Sequence, residues 1–577
     1  MKKLLVFLFT AEMLISFTAC GQTAPTAATT TAMAEAATTA AAETTAATTA
    51  AAETTAAVTE AVTTASATVA ATTAVAETTA AAPADDTPVK GLTVAANRFA
   101  QHVDWPEMYI WQEFEKDTGI KVTWEYMEGV AIAEQRNLRV ATGDLPDAFY
   151  GGRWTPAEIA QYTAEGVFVP IEEYLNETYA PNAKKFYDQM PEIWQALYLY
   201  DGHIYGFPII NPVSYAQYAI MLRESWMNEL NLELPKTTDE LFDVLQAMKD
   251  AHPDALIYSD YEDQRGYAGL RNALMGSWGL GNRGVANERW DADPTDPAKI
   301  RFYPTDERYR EMLRLFNRMY EAGMIDPDAA TQDEVAWGAK ASQEDPAVVG
   351  FVTNDTLFAY NAEHMYIGAG CMIGPYGDQT LAGVSNKVAR PWNFIITREC
   401  KDLPTAIAFA DYWMCEEKSE LFFHGAEGNH FNWNDDHTMR IQADWIENDP
   451  GGRSADQMRS TWTSQPGGSY FGINFPGVTD LTKNYERAVE ELSPYLPQIV
   501  WPTFSLTLEE TAIQTAEGED IKIHFEESTV AFVNGRLSLD TDWDSYVKKY
   551  DDMGLSRLQQ VYQNAYGRYI ANGGRVN

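Results

Sequence analysis

Cysteine is scarce in this sequence, and its scarcity argues against two kinds of stabilising site. The 577 residues contain four cysteines: Cys20, close to the amino terminus, and Cys371, Cys400 and Cys415 further on. The last three are an odd number, and their spacing does not match that of metal ligands. We therefore expect small buried thiols with at most one disulfide, and we predict neither a structural zinc nor a cofactor.

Positive charge is also in short supply. The chain has 42 Lys and Arg against 83 Asp and Glu, a formal net charge of −41. Such a surface repels phosphate backbones and anionic headgroups, which argues against nucleic-acid binding. Aromatic residues, by contrast, make up 12% of the chain. A surplus of Trp and Tyr suits a cleft for flat, amphipathic ligands such as sugar rings.

Motifs of catalytic and metal sites are missing as well. The sequence contains no G-x-S-x-G, no H-E-x-x-H and no phosphate-binding glycine loop. Carboxylates that are close in sequence, such as Asp144 with Asp147 and Glu172 with Glu173, are typical of solvated surfaces. A glycosidase needs two acids flanking one bond in space, which this proximity does not indicate. The acidic segment 291–299 lacks the glycine and distal glutamate of an EF-hand, so calcium is only a weak alternative and no metal site is predicted.

The amino terminus lacks a hydrophobic run long enough to span a membrane. Its apolar stretch at 4–15 is short, follows Lys2 and Lys3, and is itself followed by Cys20. Residues 1–20 resemble a bacterial lipoprotein signal peptide, in which the cysteine is diacylated and becomes the new amino terminus. The resemblance implies lipidation of Cys20 and a location on the extracellular face of the bacterial cell membrane.

Residues 21–87 are a linker of low complexity. They are almost entirely Ala and Thr with scattered Glu, and AAETTAA recurs at 41–47 and 51–57. Because no apolar stripe exists to bury, the segment cannot offset the entropy of ordering, and we predict that it is disordered. A flexible chain of this length would span on the order of 45 Å, enough to hold a folded domain away from a membrane.

The folded region, residues 88–577, opens with alternating strand and helix patterns. A buried strand is predicted at 91–96, a helix follows Asp104, and a strand with alternating burial follows at 120–126. Another strand is predicted at 145–150. Strands and helices in alternation predict an α/β lobe with a largely parallel sheet.

Helix patterns dominate further along the chain. One covers 234–250, where Thr237 and Glu240 have the spacing of a capping box. Two more apolar stripes, at 543–550 and 555–569, flank Gly554, which we expect to end the first of these helices. These stripes predict core-facing helices.

An ordered set of sequence blocks resembles one known family, the extracellular solute-binding proteins of family 1, which include the maltose-binding proteins. The blocks span almost all of the folded region and occur in the order found in the long lipoprotein branch of Gram-positive bacteria. They lie at 115–122, 137–150, 165–175, 201–209, 235–245, 320–328, 423–431 and 532–569.

This resemblance implies a two-lobe α/β architecture of the periplasmic-binding-protein type, with a hinge and a ligand cleft between the lobes. We expect lobe one to comprise about 88–210 and 393–440, and lobe two about 211–392 and 441–577. The family further implies a monomer that captures a carbohydrate, delivers it to the permease subunits of an ABC importer, and catalyses no reaction.

Candidate ligand-binding residues follow from the expected position of the cleft, at the carboxyl ends of the strands. Polar and aromatic side chains there can bond to hydroxyl groups or stack on a sugar ring. Asp104 has a competing role as a helix cap, and Trp278 has a competing role as a core residue. The candidates are Asn97, Asp104, Arg153, Trp154, Tyr205, Trp278, Asn354, Asp355 and Trp392.

Two other functions stay open at this point. A secreted carbohydrate-active enzyme would share the acidic, aromatic-rich composition. A cell-surface ligand sensor would share the fold. Fold alone does not decide among these possibilities.

Overall fold

A computed structural model describes most of the folded region. It covers residues 91–98, 102–128, 131–211, 214–261, 267–344, 347–352, 365–435, 440–447, 450, 458–464 and 483–576. Cys20 and the linker 21–87 lie outside the described residues, as do Asn354 and Asp355.

The strands are short, and most are buried. In chain order they are β1 (Gly91–Arg98), β2 (Lys121–Glu128), β3 (Ala148–Tyr150), β4 (Gly206–Ile210), β5 (Met221–Arg223), β6 (Leu256–Tyr258), β7 (Trp290–Ala292), β8 (Ile300–Phe302), β9 (Val349–Val352), β10 (Tyr366–Gly368), β11 (Val388–Ile396), β12 (Phe431–Trp433) and β13 (Arg440–Gln442).

Five strands form the first sheet, in the order β2-β1-β3-β11-β4. β1 pairs in parallel with β2 and β3, whereas β11 runs antiparallel to β3 and β4. The helix Tyr109–Thr118 connects β1 to β2 and buries Trp111 and Phe114, and it ends at Gly119 in the left-handed conformation. This is the β-α-β unit that the periodicity predicts.

A second sheet has the order β10-β5-β9-β6, with β6 and β9 parallel and the other pairs antiparallel. Two hairpins, β7 with β8 and β12 with β13, stand apart from both sheets.

Helices supply the remaining layers. They are Tyr109–Thr118, Ile132–Thr142, Pro156–Ala164, Pro181–Gln189, Pro191–Leu197, Glu224–Glu229, Thr238–Ala251, Ala268–Leu274, Glu307–Glu321, Glu334–Ala341, Leu403–Tyr412, Glu416–His424, Asp444–Glu447, Lys483–Leu492, Leu508–Ile513, Glu519–Val533, Trp543–Asp552 and Leu555–Ala571.

Each sheet has its own hydrophobic core. The core of the first sheet draws on residues between Leu92 and Ile210 and between Val388 and Phe422. The core of the second sheet combines residues from Ile220 to Ala382 with the carboxyl-terminal helices, up to Tyr569. The chain therefore folds as a two-lobe α/β protein, as predicted.

Three local predictions need correction. The predicted strand 145–150 shortens to β3, and Asp147 just before it bonds to Thr93 through both its amide (3.0 Å) and its carboxylate (2.8 Å). Asp104 precedes a 3₁₀ turn but makes no capping bond with its side chain. At the predicted capping box, Thr237 caps Glu240, whereas the Glu240 carboxylate accepts from Lys236 rather than from Thr237.

Candidate functional site

The carboxyl end of β1 brings two asparagines onto one row of the first sheet. Ala96 pairs with Tyr150, and Tyr150 pairs with Phe394. Asn97 and Asn393 each occupy the next position, on either side of Gly151, whose amide donates to the Asn393 carbonyl (2.7 Å). Because strand neighbours are about 4.8 Å apart, the two asparagine Cα atoms lie roughly 10 Å from each other.

Both asparagines lie on the same face of the sheet. Side chains two residues apart on a strand share a face of the sheet. Asn97 therefore lies on the face of Ala95, and Asn393 lies on the face of Ile395. Ala95 and Ile395 belong to one hydrophobic cluster, which also contains Phe149. The row of Asn97, Gly151 and Asn393 therefore lies at the end of the sheet face that this cluster covers.

Neither carboxamide is satisfied. Asn97 is 0% exposed and Asn393 is 2% exposed. Their Oδ1 and Nδ2 atoms make no hydrogen bond to any group of the described structure. Each buried polar atom without a hydrogen bond destabilises a fold by about 1–3 kcal/mol. Four such atoms in one row therefore indicate a place prepared for hydrogen-bonding partners.

The loop after β3 is held by a buried arginine. Gly151 and Arg153 both adopt positive φ, 69° and 51°. Arg136, on the helix Ile132–Thr142, donates to the carbonyl oxygens of Gly152 and Arg153. The same guanidinium pairs with Glu158, which also completes a capping box at the start of the next helix. The Arg136 guanidinium thus fixes the conformation of this loop.

Trp154 points into the cluster beside Asn97. Its ring packs against Phe149 and Phe168, with the Arg136 guanidinium 4.6 Å above its centroid. Stacking on a sugar face is therefore not supported, because protein groups already surround the ring. Its indole Nε1–H, however, is buried and has no acceptor among the described residues.

Tyr205 and Trp392 pack against the same cluster. The Tyr205 hydroxyl donates to Asp201 Oδ2 (2.8 Å), and burial together with this bond raises the pKa of the phenol. Trp392 is only partly buried, so it can offer a ring to a ligand. The structure thus brings Trp154, Tyr205 and Trp392 to one hydrophobic cluster, whereas Asn97 lies at the carboxyl end of β1 and Tyr205 at the amino end of β4.

Asp104 is exposed and lies beyond the end of β1. Its Oδ1 accepts from the Tyr126 hydroxyl (2.9 Å) and lies 3.6 Å from Arg98. Burial, followed by this hydrogen bond, raises the pKa of Tyr126 to about 12. Asp104 therefore neutralises Arg98 near the proposed row instead of capping a helix.

Trp278 stands apart from this group. It is buried in the core of the second sheet, and its carbonyl accepts from Arg308 (3.0 Å). Of the two roles that the sequence left open for Trp278, the structure places it in the core. Asn354 and Asp355 follow β9 but lie outside the described residues.

The matching end of the second sheet carries a polar network that the sequence analysis missed. Asp260, directly after β6, is buried and accepts from the Tyr258 hydroxyl (2.6 Å) and the Tyr261 amide (2.9 Å). Burial raises the pKa of Asp260 to about 7 in spite of these bonds. A strand end followed by Ser-Asp-Tyr is the signal that could have revealed it.

An aromatic cluster beside the first sheet was also missed. His430 packs against Tyr109 (5.0 Å) and Trp462 (4.9 Å), and the Trp462 carbonyl accepts from the Ile110 amide (3.2 Å). Burial lowers the pKa of His430 to about 4, so the ring is neutral at physiological pH. The cluster holds the segment 458–464 against the helix that follows β1.

The acidic segment 291–299 is occupied by protein contacts. Asp291 accepts from Arg301 Nε (2.9 Å) and from the Gly281 amide (2.8 Å). Asp293 closes a turn through Thr295. Across the described ranges, no three His, Cys, Asp or Glu side chains come together in a way that could hold a metal ion.

Two further features bear on location and redox state. Cys371, Cys400 and Cys415 are free thiols. Among the helices described, none combines the length and apolar character that crossing a membrane requires.

Comparison with protein families identifies the class to which the fold and site belong. The model of the bacterial extracellular solute-binding proteins matches residues 99–413, more than half of the chain. The chain belongs to this family, which confirms the resemblance seen in the sequence blocks.

Several relatives with known names match this chain in sequence. FusA of Streptococcus pneumoniae serotype 4, a fructooligosaccharide ABC transporter substrate-binding protein, is 26% identical over 81% of this chain and 88% of its own. YtcQ of Bacillus subtilis strain 168, a polygalacturonan/rhamnogalacturonan-binding protein, is 21% identical over 79% of this chain and 87% of its own. Lipoprotein LipO of the same strain is 25% identical over 56% and 63% of the two chains.

A solved structure shows the same fold. FusA from S. pneumoniae in complex with kestose aligns with a TM-score of 0.63 and 23% identity, and the alignment covers 84% of this chain and 100% of that one. This likeness shows a common fold over most of the chain.

Proposed function

We propose that this chain is the extracellular binding component of an ABC importer and that it captures an oligosaccharide between its two lobes. The observation that carries the proposal is the row at the end of the first sheet. There the carboxamides of Asn97 and Asn393 have no partner among the described residues, and the partly buried Trp392 packs against the cluster that covers this sheet face. Hydrogen-bonding amides and aromatic rings are the groups that recognise sugars. The descriptions of FusA and YtcQ both name saccharides as ligands.

Capture follows from two lobes that each hold part of a ligand. We propose that the first lobe comprises about 88–210 and 388–464, and the second about 211–387 and 483–577, since β11 belongs to the first sheet and 458–464 packs on its first helix. Support comes from the separate cores of the two sheets. A ligand that touches both lobes favours the closed state by its differential affinity, and the permease subunits then select that state.

Anchoring completes the proposal. Lipidation of Cys20 would fix the amino terminus to the outer face of the membrane, and residues 21–87 would tether the binding domain. The relative named as a lipoprotein supports this arrangement. Mass spectrometry of membrane-extracted protein should show a diacylated Cys20; an unmodified cysteine would refute the anchor but leave ligand capture intact.

Ligand capture is tested with the purified full-length chain in a thermal-shift screen of mono- and oligosaccharides. At one hundred times its dissociation constant, a bound sugar should add about 2.7 kcal/mol of stability. Chromatography after incubation should recover the sugar unchanged. New reducing ends would indicate a carbohydrate-active enzyme instead, and a panel in which only peptides or other non-carbohydrate solutes bind would refute the carbohydrate assignment.

A further inference from the structure

The relatives named above raise a question of ligand charge. FusA is named for a neutral class of saccharide, the fructooligosaccharides, and YtcQ for polymers that contain uronic acid. The row around Gly151 bears on this choice, because its side chains have a definite hydrogen-bonding character.

Each of the two carboxamides presents one donor group and one acceptor. A sugar hydroxyl both donates and accepts, so hydroxyl groups can satisfy Nδ2 and Oδ1 together. A carboxylate only accepts, and it would leave Asn97 Oδ1 and Asn393 Oδ1 facing a negative charge. Exchanging the two amide atoms changes nothing, since all four are unpaired in the described structure.

Two cations near the row, Arg136 and Arg98, already have acidic partners. Arg136 is paired with Glu158 and bonded to two carbonyl oxygens. Arg98 lies 3.6 Å from Asp104 and over the Tyr126 ring. A buried carboxylate needs a dedicated positive charge or several N–H donors to offset its desolvation, and these arginines are engaged elsewhere.

The charge of the whole chain acts in the same direction. A net charge of −41 repels a polyanion during diffusional encounter. A neutral oligosaccharide experiences no such barrier.

We infer that Asn97 and Asn393 form a subsite that reads hydroxyl groups and selects neutral oligosaccharides over uronic-acid oligosaccharides. The inference rests on the proposed function. The geometry assigns the two carboxamides to hydroxyl groups of the bound sugar, with the Trp154 N–H as a further donor. Both asparagines are shielded from water in this structure, so the inference requires that the groups covering them move aside before the sugar binds.

The ligand class is tested by calorimetric titration of the full-length chain with matched saccharides. Oligogalacturonates and their methyl esters share one sugar chain and differ in the charge and one methyl group at each carboxyl. Kestose together with neutral gluco-, manno- and galacto-oligosaccharides completes the panel. We expect a neutral sugar to bind, and the methyl esters to bind at least about tenfold more tightly than the free acids. Equal or tighter binding of the free acids would overturn the inference while leaving carbohydrate capture intact. Binding of no saccharide at all would refute the proposed function itself.

The assignment of residues is tested with Asn97→Leu and Asn393→Leu, and with the corresponding alanine variants. Each should weaken binding of the neutral sugar by at least about tenfold. The melting temperature of the leucine variants without ligand should be unchanged or higher, because an unpaired buried amide is removed. Unchanged affinity in both variants would refute the subsite.

Asn287 provides a matched control. It is also buried, but its Nδ2 donates to the Pro502 carbonyl (2.9 Å) and its Oδ1 accepts from the Phe504 amide (3.0 Å). Asn287→Leu should lower the melting temperature and leave sugar affinity unchanged. The opposite responses of the two kinds of asparagine separate ligand binding from a structural role.

Discussion

Arg136 shows how one buried side chain can set the geometry of a neighbouring loop. Burial alone would raise the pKa of Glu158, but hydrogen bonds from Arg136, Thr155 and Asn137 outweigh it and lower that pKa. The guanidinium also bonds to the loop carbonyls and lies over the Trp154 ring. Charge pairing, loop support and ring contact thus depend on a single residue.

Replacing that residue should be severe. Arg136→Met leaves Glu158 and two carbonyl oxygens without their partner, so we expect a loss of about 3–5 kcal/mol in the free energy of unfolding, measured by urea denaturation. Lys116→Met is the control, since Lys116 forms an exposed pair with Glu113 and its replacement should leave the free energy of unfolding nearly unchanged. Equal losses in the two variants would contradict this interpretation.

Sequence reasoning found some residues of this site and missed others for a physical reason. Asn97 lies at the carboxyl end of β1, and Trp154 follows β3, so local strand patterns reveal both. Asn393 lies inside β11, and only the antiparallel pairing of β11 with β3 brings it beside Gly151. Such pairing joins segments far apart in the chain and has no local signature.

Elements at the end of the second sheet are joined by buried polar groups. Ser259 Oγ donates to Asp326 Oδ2 (2.7 Å), Gln332 bonds to both residues, and Lys340 pairs with Asp326 (2.8 Å). The network links β6 to the segment before the helix Glu334–Ala341 and to that helix itself. Asp260 is the next residue of the same connection, and its proton affinity makes it sensitive to pH.

Stability should therefore fall with rising pH through this group. The pKa of Asp260 is raised from 3.8 to about 7 by burial, so its contribution is fully present below pH 3.8 and lost as pH rises through about 7. Asp260→Asn should flatten the dependence of unfolding free energy on pH between about 4 and 8 and stabilise the protein at pH 8. Urea titrations at several pH values measure this, with the exposed Asp254→Asn as control. A wild-type slope that persists in Asp260→Asn would refute the assignment.

The helices and strands themselves were predicted with mixed success. Periodic burial revealed β1, β2 and the helix between them, because each is an amphipathic or fully buried run with clear ends. The strand predicted at 145–150 was longer than β3, which begins at Ala148, although the Asp147 backbone still bonds to Thr93 and Thr397. The sequence pattern therefore revealed the strand but not its first residue.

At the scale of the whole molecule, the last residues connect the two lobes. Gln195, beside the first sheet, donates to the Gly573 carbonyl (2.7 Å), and the Tyr200 amide donates to Ser505 Oγ (3.0 Å). A small cavity lies between these contacts, lined by residues 195–200, 502–505 and 565–572. On the other side, Arg283 donates to the Val576 carbonyl (3.0 Å).

Removing residues 572–577 should weaken this connection. The deletion takes away the bonds to Gln195 and Arg283, and we expect a loss of about 1–3 kcal/mol in unfolding free energy. Gln195→Ala removes only the bond from the first lobe and should cause a smaller loss. Denaturant titration of the two variants makes the comparison, and a deletion without effect would show that the contacts contribute nothing.

The two separate cores also explain how much of the whole fold could be predicted from the sequence. The ordered blocks revealed the family and with it the two-lobe fold. The docking of the carboxyl-terminal helices on the second sheet depends on contacts such as Trp501 with Tyr566, which the stripes alone do not specify.

The anchored position of Gly573 and Val576 has a practical consequence for handling the protein. A purification handle or fluorescent reporter joined after Val576 would follow the Arg283 contact directly, and its bulk would strain the contact between Gly573 and Gln195. Inserting the handle within residues 22–87 leaves the carboxyl-terminal sequence unchanged. Titrations with an end-fused reporter would otherwise record the fusion's own influence on lobe movement together with that of the sugar.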